Sequence, residues 1–331
     1  MPHAIRVHEN GGPEVLRWDE VPMHAPGEGE ARIRHTAIGI NFSDINVRRG
    51  GFYPTAWPLP VILGNEAAGI IEELGSGTSG FKVGDRVAYA GMFETFYLDT
   101  GAYSEYRNVP LARLVHIPDD VTDEQAAATL LKGATASLII NRLYKPKPGD
   151  TVLVHTGAAG VGMILCQWSK WLGATVISTV GSAAKAELAR ANGSDHAILY
   201  RETDFVAEVE RIAPGGVSAV FDGVGNDTFI RSFATIRKFG TAVNYGNASG
   251  SVLPLDIQTL ALKSLTVSRA GVGGHLEDTE SLRAVAGEVF SLVGKNVIRP
   301  RIACRYALRE AARAHADVES ARFSGSLLLI P

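Results

Sequence analysis

Apolar and polar residues alternate with a period of two along much of the first 120 residues. Segment 30–39 is the clearest case, because Ala31, Ile33 and Ala37 fall on one side of an extended chain and Arg32 and Arg34 on the other. Such alternation is typical of strands that bury one face. Short strands separated by Gly- and Asn-rich turns predict an antiparallel, barrel-like domain. We expect its strands at 4–8, 16–21, 30–39, 67–74, 85–90, 102–109 and 114–117.

From residue 122 onward, segments with helical periodicity alternate with short apolar ones. Thr122 and the acidic residues after it are typical of a helix start and predict a helix at 126–143. Further strands are expected at 151–155, 175–180, 197–200, 217–222, 241–245 and 265–268, and further helices at 161–172, 183–192, 205–212 and 228–237. The first two of these strands lack alternation, as expected when helices cover both faces of a sheet. The pattern predicts a doubly wound parallel sheet.

The last sixty residues change pattern once more. We expect helices at 279–293 and 308–318 and strands at 301–306 and 326–330. The terminal strand is apolar and needs a covered sheet, so the chain is predicted to return to the first domain. The predicted fold class is therefore α/β, with a barrel-type domain at 1–122, a doubly wound parallel-sheet domain at 123–270 and the return of the chain at 271–331. A length of 331 residues agrees with two domains.

Composition and charge exclude several classes of protein. The formal net charge is −3, which does not fit the basic surface of a nucleic-acid-binding protein. The longest apolar runs are far shorter than a membrane helix, so no membrane partner is expected. Cys166 and Cys304 stand far apart and form neither a disulfide framework nor a metal pair. We expect a cytoplasmic protein in a reducing compartment.

The strongest chemical motif is an apolar strand that runs into a Gly- and Ala-rich turn and then a helix. Its glycines are spaced as Gly157-x-x-Gly160-x-Gly162, which departs from the common GxGxxG pattern. A helix that begins at such a turn presents unpaired N–H groups and a positive dipole end, both suited to a pyrophosphate. Gly162 would let the helix pack close to the strand. An ordinary strand–helix turn is the alternative, but the position at the first strand of a βα series favours dinucleotide binding.

The end of the second strand indicates which dinucleotide is bound. An NAD site usually carries Asp or Glu there, about 20 residues after the glycine motif, to bind the ribose hydroxyls. This chain has no acid there and instead reads Gly181, Ser182 and, one turn later, Lys185. Space, a hydroxyl and a positive charge suit the 2′-phosphate of NADPH. A solvated surface lysine is the alternative for Lys185, so the missing acid carries more of the prediction.

Other kinds of catalytic site are not indicated. The nine histidines are scattered, and neither they nor the two cysteines show the spacing of a zinc site. There is no GxSxG nucleophile motif. His35, His116 and His155 are expected to be structural. Hydride transfer from a nicotinamide requires neither metal nor nucleophile, only a stacked acceptor and a donor to its developing oxyanion.

As a whole, the chain resembles the zinc-independent quinone oxidoreductases, the group of the medium-chain dehydrogenase/reductase superfamily that includes zeta-crystallin. The motifs that carry the resemblance occur in order along the whole chain: HENGGPEVL at 8–16, GINFSD at 39–44, GGFYP at 50–54, LGNEAAG at 63–69, VGDRV at 83–87, GAYSEY at 101–106, KGATA at 132–136, AAGVG at 158–162, NASG at 247–250 and GSLL at 325–328. Zinc-binding relatives have Cys near 41 and His near 65, where this chain has Asn41 and Asn65, which favours the metal-free branch.

The resemblance implies a GroES-like catalytic domain, a Rossmann cofactor domain and a set of site residues. Asn41 and Tyr53 would border the nicotinamide and the quinone, orient the carbonyl and serve as the catalytic pair. The remaining cofactor contacts would be Thr135 near the nicotinamide, Ala159, Gly160 and Val161 at the pyrophosphate, Gly181, Ser182, Lys185 and Tyr200 at the 2′-phosphate, and Tyr245, Gly246, Asn247, Ser268 and Arg269 along the cleft, with Arg322 a weaker candidate. Asp44 is expected to have a structural hydrogen-bonding role.

The resemblance leaves alternatives open. The leading prediction is an NADPH:quinone oxidoreductase, with solvent or Tyr53 as the proton source. Reduction of enones or enoyl-thioesters would use the same hydride geometry, and an NADPH-binding protein without turnover is a third possibility. The resemblance also implies a homodimer through the free edge of the predicted strand at 265–269. The physiological acceptor, one- or two-electron reduction, and the effect of Asn46, where some relatives carry a tyrosine, are left undecided.

Overall fold

The computed structural model describes residues 1–51, 58–91 and 100–331. Within them the chain forms two compact units. Unit 1 consists of residues 1–134, 273–294 and 300–331, and unit 2 of residues 135–272 and 295–299.

In the described residues the strands and α-helices follow one another along the chain with these bounds. The strands are β1 (His3–Val7), β2 (Leu16–Glu20), β3 (Glu30–Gly39), β4 (Val61–Ile62), β5 (Glu66–Leu74), β6 (Arg86–Ala90), β7 (Tyr106–Pro110), β8 (Val115–His116), β9 (Thr151–His155), β10 (Thr175–Val180), β11 (His196–Leu199), β12 (Val217–Asp222), β13 (Ile236–Asn244), β14 (Thr266–Arg269), β15 (Ile302–Ala307) and β16 (Ser326–Ile330). The helices are α1 (Phe42–Arg49), α2 (Asp123–Leu138), α3 (Gly160–Trp171), α4 (Ala183–Ala191), α5 (Phe205–Ile212), α6 (Thr279–Gly294) and α7 (Ala311–Glu319).

Unit 1 is built mainly from antiparallel strands. One sheet has the order β2-β1-β4, and the larger sheet has the order β15-β16-β3-β5-β6-β8, with β7 also pairing with β3. Strand β3 has the predicted bounds, and its inward residues Ala31, Ile33 and Ala37 are fully buried. The terminal strand β16 pairs antiparallel with β3 and parallel with β15. The apolar face of β3 therefore lies at the centre of the core of this unit.

Unit 2 contains a six-stranded sheet in which every pair is parallel, with the order β11-β10-β9-β12-β13-β14. This order runs outward in both directions from β9, which is the arrangement of a doubly wound dinucleotide-binding sheet. The central strands are apolar on both faces, and Val152, Leu153 and Val154 of β9 are fully buried. The predicted fold class is confirmed. Because parallel strands end at the same edge, the loops after β9, β10, β11, β13 and β14 lie along one edge of the sheet.

The predicted helix at 228–237 is wrong. Residues 231–235 form only a short 3-10 turn, and β13 already begins at Ile236, so the predicted strand at 241–245 covers only the second half of a nine-residue strand. Hydroxyl groups account for the short turn, because Ser232 Oγ and Thr235 Oγ1 donate to backbone carbonyls three or four residues earlier. Ile236 instead pairs with Val217 of β12.

Three other predicted elements differ in extent. The helix predicted to start at Thr122 and the acidic residues after it does begin at Asp123, but it does not continue to residue 143 and gives way after Leu138 to a single π-helical turn. The strand predicted at 102–109 is regular only from Tyr106. The helix predicted at 308–318 opens with a 3-10 turn, and α7 begins at Ala311.

Candidate cofactor and active site

The loop between β9 and α3 is shaped by two glycines that admit no side chain. A Cβ on Gly157 would lie 2.8 Å from Ser178 Oγ on the neighbouring strand β10. A Cβ on Gly162 would lie 2.9 Å from the carbonyl carbon of Thr156. Thr156 itself has a positive φ of 61°, as the sharp turn at the end of β9 requires. Gly162 therefore permits the close approach of α3 to the strand that the sequence predicted.

The amino end of α3 is open to solvent. Ala159 is the residue before the helix, has an extended backbone and is exposed, while Gly160 and Val161 are partly exposed in the first turn. The first N–H groups of an α-helix have no carbonyl partner within the helix and point out of its end. The Ala159 N–H already donates to the carbonyl oxygen of Thr156 at 2.9 Å. Gly160 and Val161 thus provide the donors, and the helix end provides the positive dipole, that a pyrophosphate needs.

Residues after β10 and β11 meet beside this loop and form a cationic cluster. The Cβ position of Gly181 lies 3.0 Å from Tyr200 Oη and 3.4 Å from Arg201 Nε. Ser182 caps α4 by accepting the Lys185 N–H. Burial and the nearby positive charge of Arg201 lower the pKa of Lys185. The structure therefore brings together four residues that the sequence assigned to the 2′-phosphate and adds a second cation.

Arg201 is the residue that sequence reasoning missed. It follows Tyr200 at the carboxyl end of β11, and its guanidinium lies 6.0 Å from the centre of the Tyr200 ring. The signal was available, because a residue beyond the end of a strand adjacent to the second strand faces the same edge of the sheet as Lys185.

The loops after β12 and β13 pack against each other too closely for side chains at their glycines, Gly223 and Gly246. A Cβ on Gly246 would lie 2.5 Å from the carbonyl oxygen of Gly223, and a Cβ on Gly223 would lie 2.6 Å from the Tyr245 ring. The Tyr245 hydroxyl lies 3.5 Å from the carbonyl oxygen of His155, at the end of β9. Tyr245 and Gly246 thus lie against the end of β9 that opens the phosphate loop, and Asn247 follows them in the same loop.

Ser268 and Arg269 end the last strand of the parallel sheet. They pair with Val243 and Asn244 of β13, and Arg269 Nη1 donates to Asn244 Oδ1 at 2.5 Å. These two predicted residues consequently share the carboxyl edge of the sheet with the loop at 245–247.

In unit 1, Asn41 lies in a buried polar cluster at the start of α1. Its Nδ2 donates to Glu66 Oε1 at 2.9 Å, and Lys132 Nζ donates to the same oxygen at 2.9 Å. Glu66 is fully buried, whereas Asn41 is 9% exposed. The Asn41 amide is therefore held from within the protein, and the residue keeps a small exposed surface.

Asp44 has the hydrogen-bonding role that the sequence predicted. Its Oδ2 accepts the backbone N–H of Asn41 at 2.8 Å and the hydroxyl of Tyr103 at 3.1 Å. Complete burial raises the pKa of Asp44 to about 7, against the opposing effect of these hydrogen bonds. Asp44 thus fixes the turn that presents Asn41.

The resemblance assigns three other residues to the site. Tyr53 lies outside the described residues. Thr135 lies in α2, within unit 2. Arg322 belongs to unit 1, where its guanidinium pairs with Asp317 and lies over the Phe323 ring. Their contacts with the cofactor remain predictions.

The residues at the carboxyl edge of the parallel sheet fit a phosphorylated dinucleotide. The amino end of α3 supplies accessible N–H donors, and glycines keep side chains out of the loop around it. Lys185 and Arg201 supply two cations, and no acidic residue occurs at positions 181–185, directly after β10.

Among residues 1–51, 58–91 and 100–331, no group of three or more His, Cys, Asp or Glu side chains is placed to hold a metal ion. Within these same ranges, no helix has the length and apolar character needed to cross a membrane.

Family models match both parts of the chain. The alcohol dehydrogenase GroES-like domain matches residues 27–119, and the zinc-binding dehydrogenase domain matches residues 160–288.

Individual relatives match along the whole chain. A quinone oxidoreductase of Salmonella typhimurium is 42% identical over 335 residues, which cover 100% of both chains. A 2-haloacrylate reductase of a Burkholderia species is 37% identical over 337 residues, covering 100% of this chain and 99% of that protein. The crystal structure of Escherichia coli quinone oxidoreductase complexed with NADPH matches with a TM-score of 0.93 and 40% identity, covering 99% of this chain and 100% of that one. The chain belongs to the quinone oxidoreductase family of the medium-chain dehydrogenase/reductase superfamily and is an oxidoreductase.

Proposed function

We propose that the protein is an NADPH-dependent quinone reductase that works without a metal ion. The observation that carries this proposal is the arrangement at the carboxyl edge of the unit 2 sheet, where the open amino end of α3 and the Lys185–Arg201 cluster follow adjacent strands. The quinone oxidoreductase relatives and the NADPH-complexed structure support the same activity.

The chain's own residues would hold the cofactor at its two charged ends. Backbone N–H groups at Gly160 and Val161 would bind the pyrophosphate, with the backbone of Ala159 beside it. Lys185 would bind the 2′-phosphate through its compact ammonium group and Arg201 through its planar guanidinium, which carries several donors. Tyr245, Gly246, Asn247, Ser268 and Arg269 would border the nicotinamide half. When bound, NADPH supplies the hydride, and the protein contributes binding, orientation and electrostatics.

Asn41 would orient the acceptor. An amide N–H aimed at the quinone oxygen stabilises the negative charge that develops there as hydride arrives, and it does so without reorganisation. The sequence predicts Tyr53 as a second donor, with solvent as the alternative proton source. Replacing Asn41 by Ala is expected to lower kcat more than it raises the KM for NADPH.

The test is oxidation of NADPH, followed at 340 nm, with a panel of benzoquinones and naphthoquinones. We expect turnover with at least one quinone and a kcat/KM for NADPH at least tenfold above that for NADH, since two cations face the 2′-phosphate. Absence of turnover with every quinone, or equal efficiency with NADH, would contradict the proposal.

Reduction of an activated alkene is a second candidate. The 37% identical relative is a 2-haloacrylate reductase, so full-length similarity extends to a protein named for an alkene substrate. In an enone or a haloacrylate, the carbon that accepts the hydride is electrophilic because its double bond is conjugated to a carbonyl or carboxylate. Asn41 would bind the oxygen of that group in the same way. Including 2-cyclohexenone and 2-chloroacrylate in the panel distinguishes the two, with higher kcat/KM expected for quinones.

We also propose that the protein is a homodimer formed through β14. This strand ends the order of the unit 2 sheet, and the segment before it exposes Leu253, Ile257 and Leu262, the last with 89% of its surface accessible. Among the strands that the structure describes, β14 is an edge strand, and an edge strand beside exposed apolar residues favours pairing with a second copy. Sedimentation should show a dimer, and the variant I257D/L262D should shift it to monomer; a wild-type monomer at micromolar concentration would refute this.

We propose a cytoplasmic location. Both cysteines are free thiols, Cys166 buried and Cys304 partly exposed, as suits a reducing compartment. Fractionation of cells that express the protein should place it with cytoplasmic markers.

A further inference from the structure

A buried carboxylate in unit 1 is held by three donors from two distant parts of the chain. Glu66 Oε1 accepts from Asn41 Nδ2 and from Lys132 Nζ, each at 2.9 Å, and Glu66 Oε2 accepts the backbone N–H of Leu131 at 2.8 Å. The Glu66 side chain is fully buried, and that of Lys132 is 10% exposed. Both oxygens of the carboxylate are thus engaged, and its charge has one close counter-ion.

The surroundings are shaped to admit this carboxylate. A Cβ on Gly39, which ends β3, would lie 2.5 Å from Glu66 Oε1. Leu131 lies inside α2, yet its N–H still donates to the carboxylate. A glycine at one side and a helix backbone at the other leave Glu66 a single position.

Such a pair is a costly way to gain stability. Desolvating two charges consumes most of their mutual attraction, and a well-packed apolar pair of the same volume is often as stable or more so. What the pair supplies is a fixed orientation for Asn41. One of the two amide N–H groups is committed to Glu66, so the plane of the amide is set and the second N–H has a defined direction.

We propose that Glu66 and Lys132 are positioning residues for Asn41, with Glu66 fixing the amide and Lys132 holding the charge and position of Glu66. The inference rests on the proposed function, in which the Asn41 amide donates a hydrogen bond to the acceptor oxygen. Neither positioning residue needs to touch substrate or cofactor.

The decisive experiment is a double-mutant cycle in the assay with NADPH and 1,4-benzoquinone. If Glu66 acts through Asn41, E66Q should lower kcat by about 10–100-fold, as expected for a misplaced catalytic group, with the KM for NADPH changed less than twofold. The variant N41A/E66Q should then be no slower than N41A, since the second change removes nothing further. K132M should lower kcat by about tenfold, and K132R should restore most of it.

The matched control is Lys170, which forms a 2.5 Å ion pair with Asp195 at an exposed site in unit 2. K170M should keep wild-type kcat. Circular dichroism and NADPH binding establish whether each variant is folded. If E66Q is not folded, the kcat values of K132M and K132R test the proposal instead. Wild-type kcat in folded K132M, or losses that multiply in N41A/E66Q, would overturn the proposal.

A second measurement separates this inference from the proposed function. The side-chain amide signal of Asn41, identified in the 15N spectrum by its loss in N41A, should move in E66Q and K132M and stay in K170M. If the wild type reduces no acceptor, the proposed function fails, while this spectrum still shows whether Glu66 and Lys132 hold the amide. An Asn41 signal unchanged in both variants would refute the positioning role.

Discussion

At the scale of single residues, we propose that Lys185 and Arg201 determine which dinucleotide the protein prefers. Arg201 lies beside Gly181, and burial and the charge of Arg201 lower the pKa of Lys185. Bringing the two cations together therefore costs free energy when no anion is bound. A 2′-phosphate removes that cost. The cluster should therefore contribute to binding of NADPH and not of NADH.

The variant K185A/R201A is expected to raise the Kd for NADPH by about 100-fold, since each charge-assisted hydrogen bond contributes on the order of 1.5–3 kcal/mol when formed in full and less at a partly exposed site. Its Kd for NADH should change less than threefold. Fluorescence titration of both nucleotides measures this, with K170M as control. Equal weakening for the two nucleotides would show that the cluster does not bind the 2′-phosphate.

His315 is a buried residue whose protonation opposes folding. It lies between Tyr103 and Arg48, with its Nε2 2.9 Å from the Tyr103 hydroxyl and its Nδ1 3.1 Å from Arg48 Nη1. Burial, and secondarily the charge of Arg48, lowers the pKa of His315 to about 3. The unfolded chain, with a histidine pKa near 6.5, binds the proton more tightly. The stabilising effect is therefore complete above pH 6.5 and is lost as the pH falls toward 3.

We predict that H315Q flattens the acid side of the stability curve. Between pH 6 and 4 the free energy of unfolding of the wild type should lose up to about 1.4 kcal/mol per pH unit more than that of H315Q. Urea unfolding across this range tests the difference, with H196Q at an exposed position as control. Parallel curves for the wild type and H315Q would contradict the assigned state of His315.

At the scale of elements, the chain's pattern was sufficient for several strands that bury one face or both faces. The bounds of β3, β9, β10 and β12 are as predicted, because their alternation or uniform apolarity reflects burial directly. The segment at 228–237 failed because its helical spacing competes with hydroxyl-to-backbone bonds and with the pairing of Ile236 against β12. Such pairing depends on residues far away in sequence, which a local pattern does not contain.

The loop between β9 and α3 depends on Gly162 for its geometry. G162A would place a Cβ 2.9 Å from the Thr156 carbonyl carbon and should push α3 from β9. We expect a loss of about 1–3 kcal/mol of stability, as for other overpacked sites, and at least tenfold weaker NADPH binding. The matched control is G287A in α6, where the added Cβ meets nothing within 4 Å and replacing a helical Gly should stabilise by up to about 1 kcal/mol. An unaffected G162A would show that close packing is not required.

At the scale of the whole molecule, the fold class and the family were recognisable from the sequence, and the site only in part. Residues that directly follow a strand of the parallel sheet, such as Gly160 and Lys185, could be found because strand ends share an edge. Glu66 could not be assigned in this way, since its partners Asn41 and Lys132 are 25 and 66 residues away and only folding unites them. Arg201 can be assigned to the site only once β11 is known to lie beside β10 in the sheet.

The most direct test of the central claim is a crystal structure of the protein complexed with NADPH. The pyrophosphate should lie at the amino end of α3, within hydrogen-bond distance of backbone N–H groups at 160–161, and the 2′-phosphate should contact Lys185 and Arg201. A structure in which the nucleotide binds elsewhere, or in which its 2′-phosphate faces away from both cations, would contradict the account.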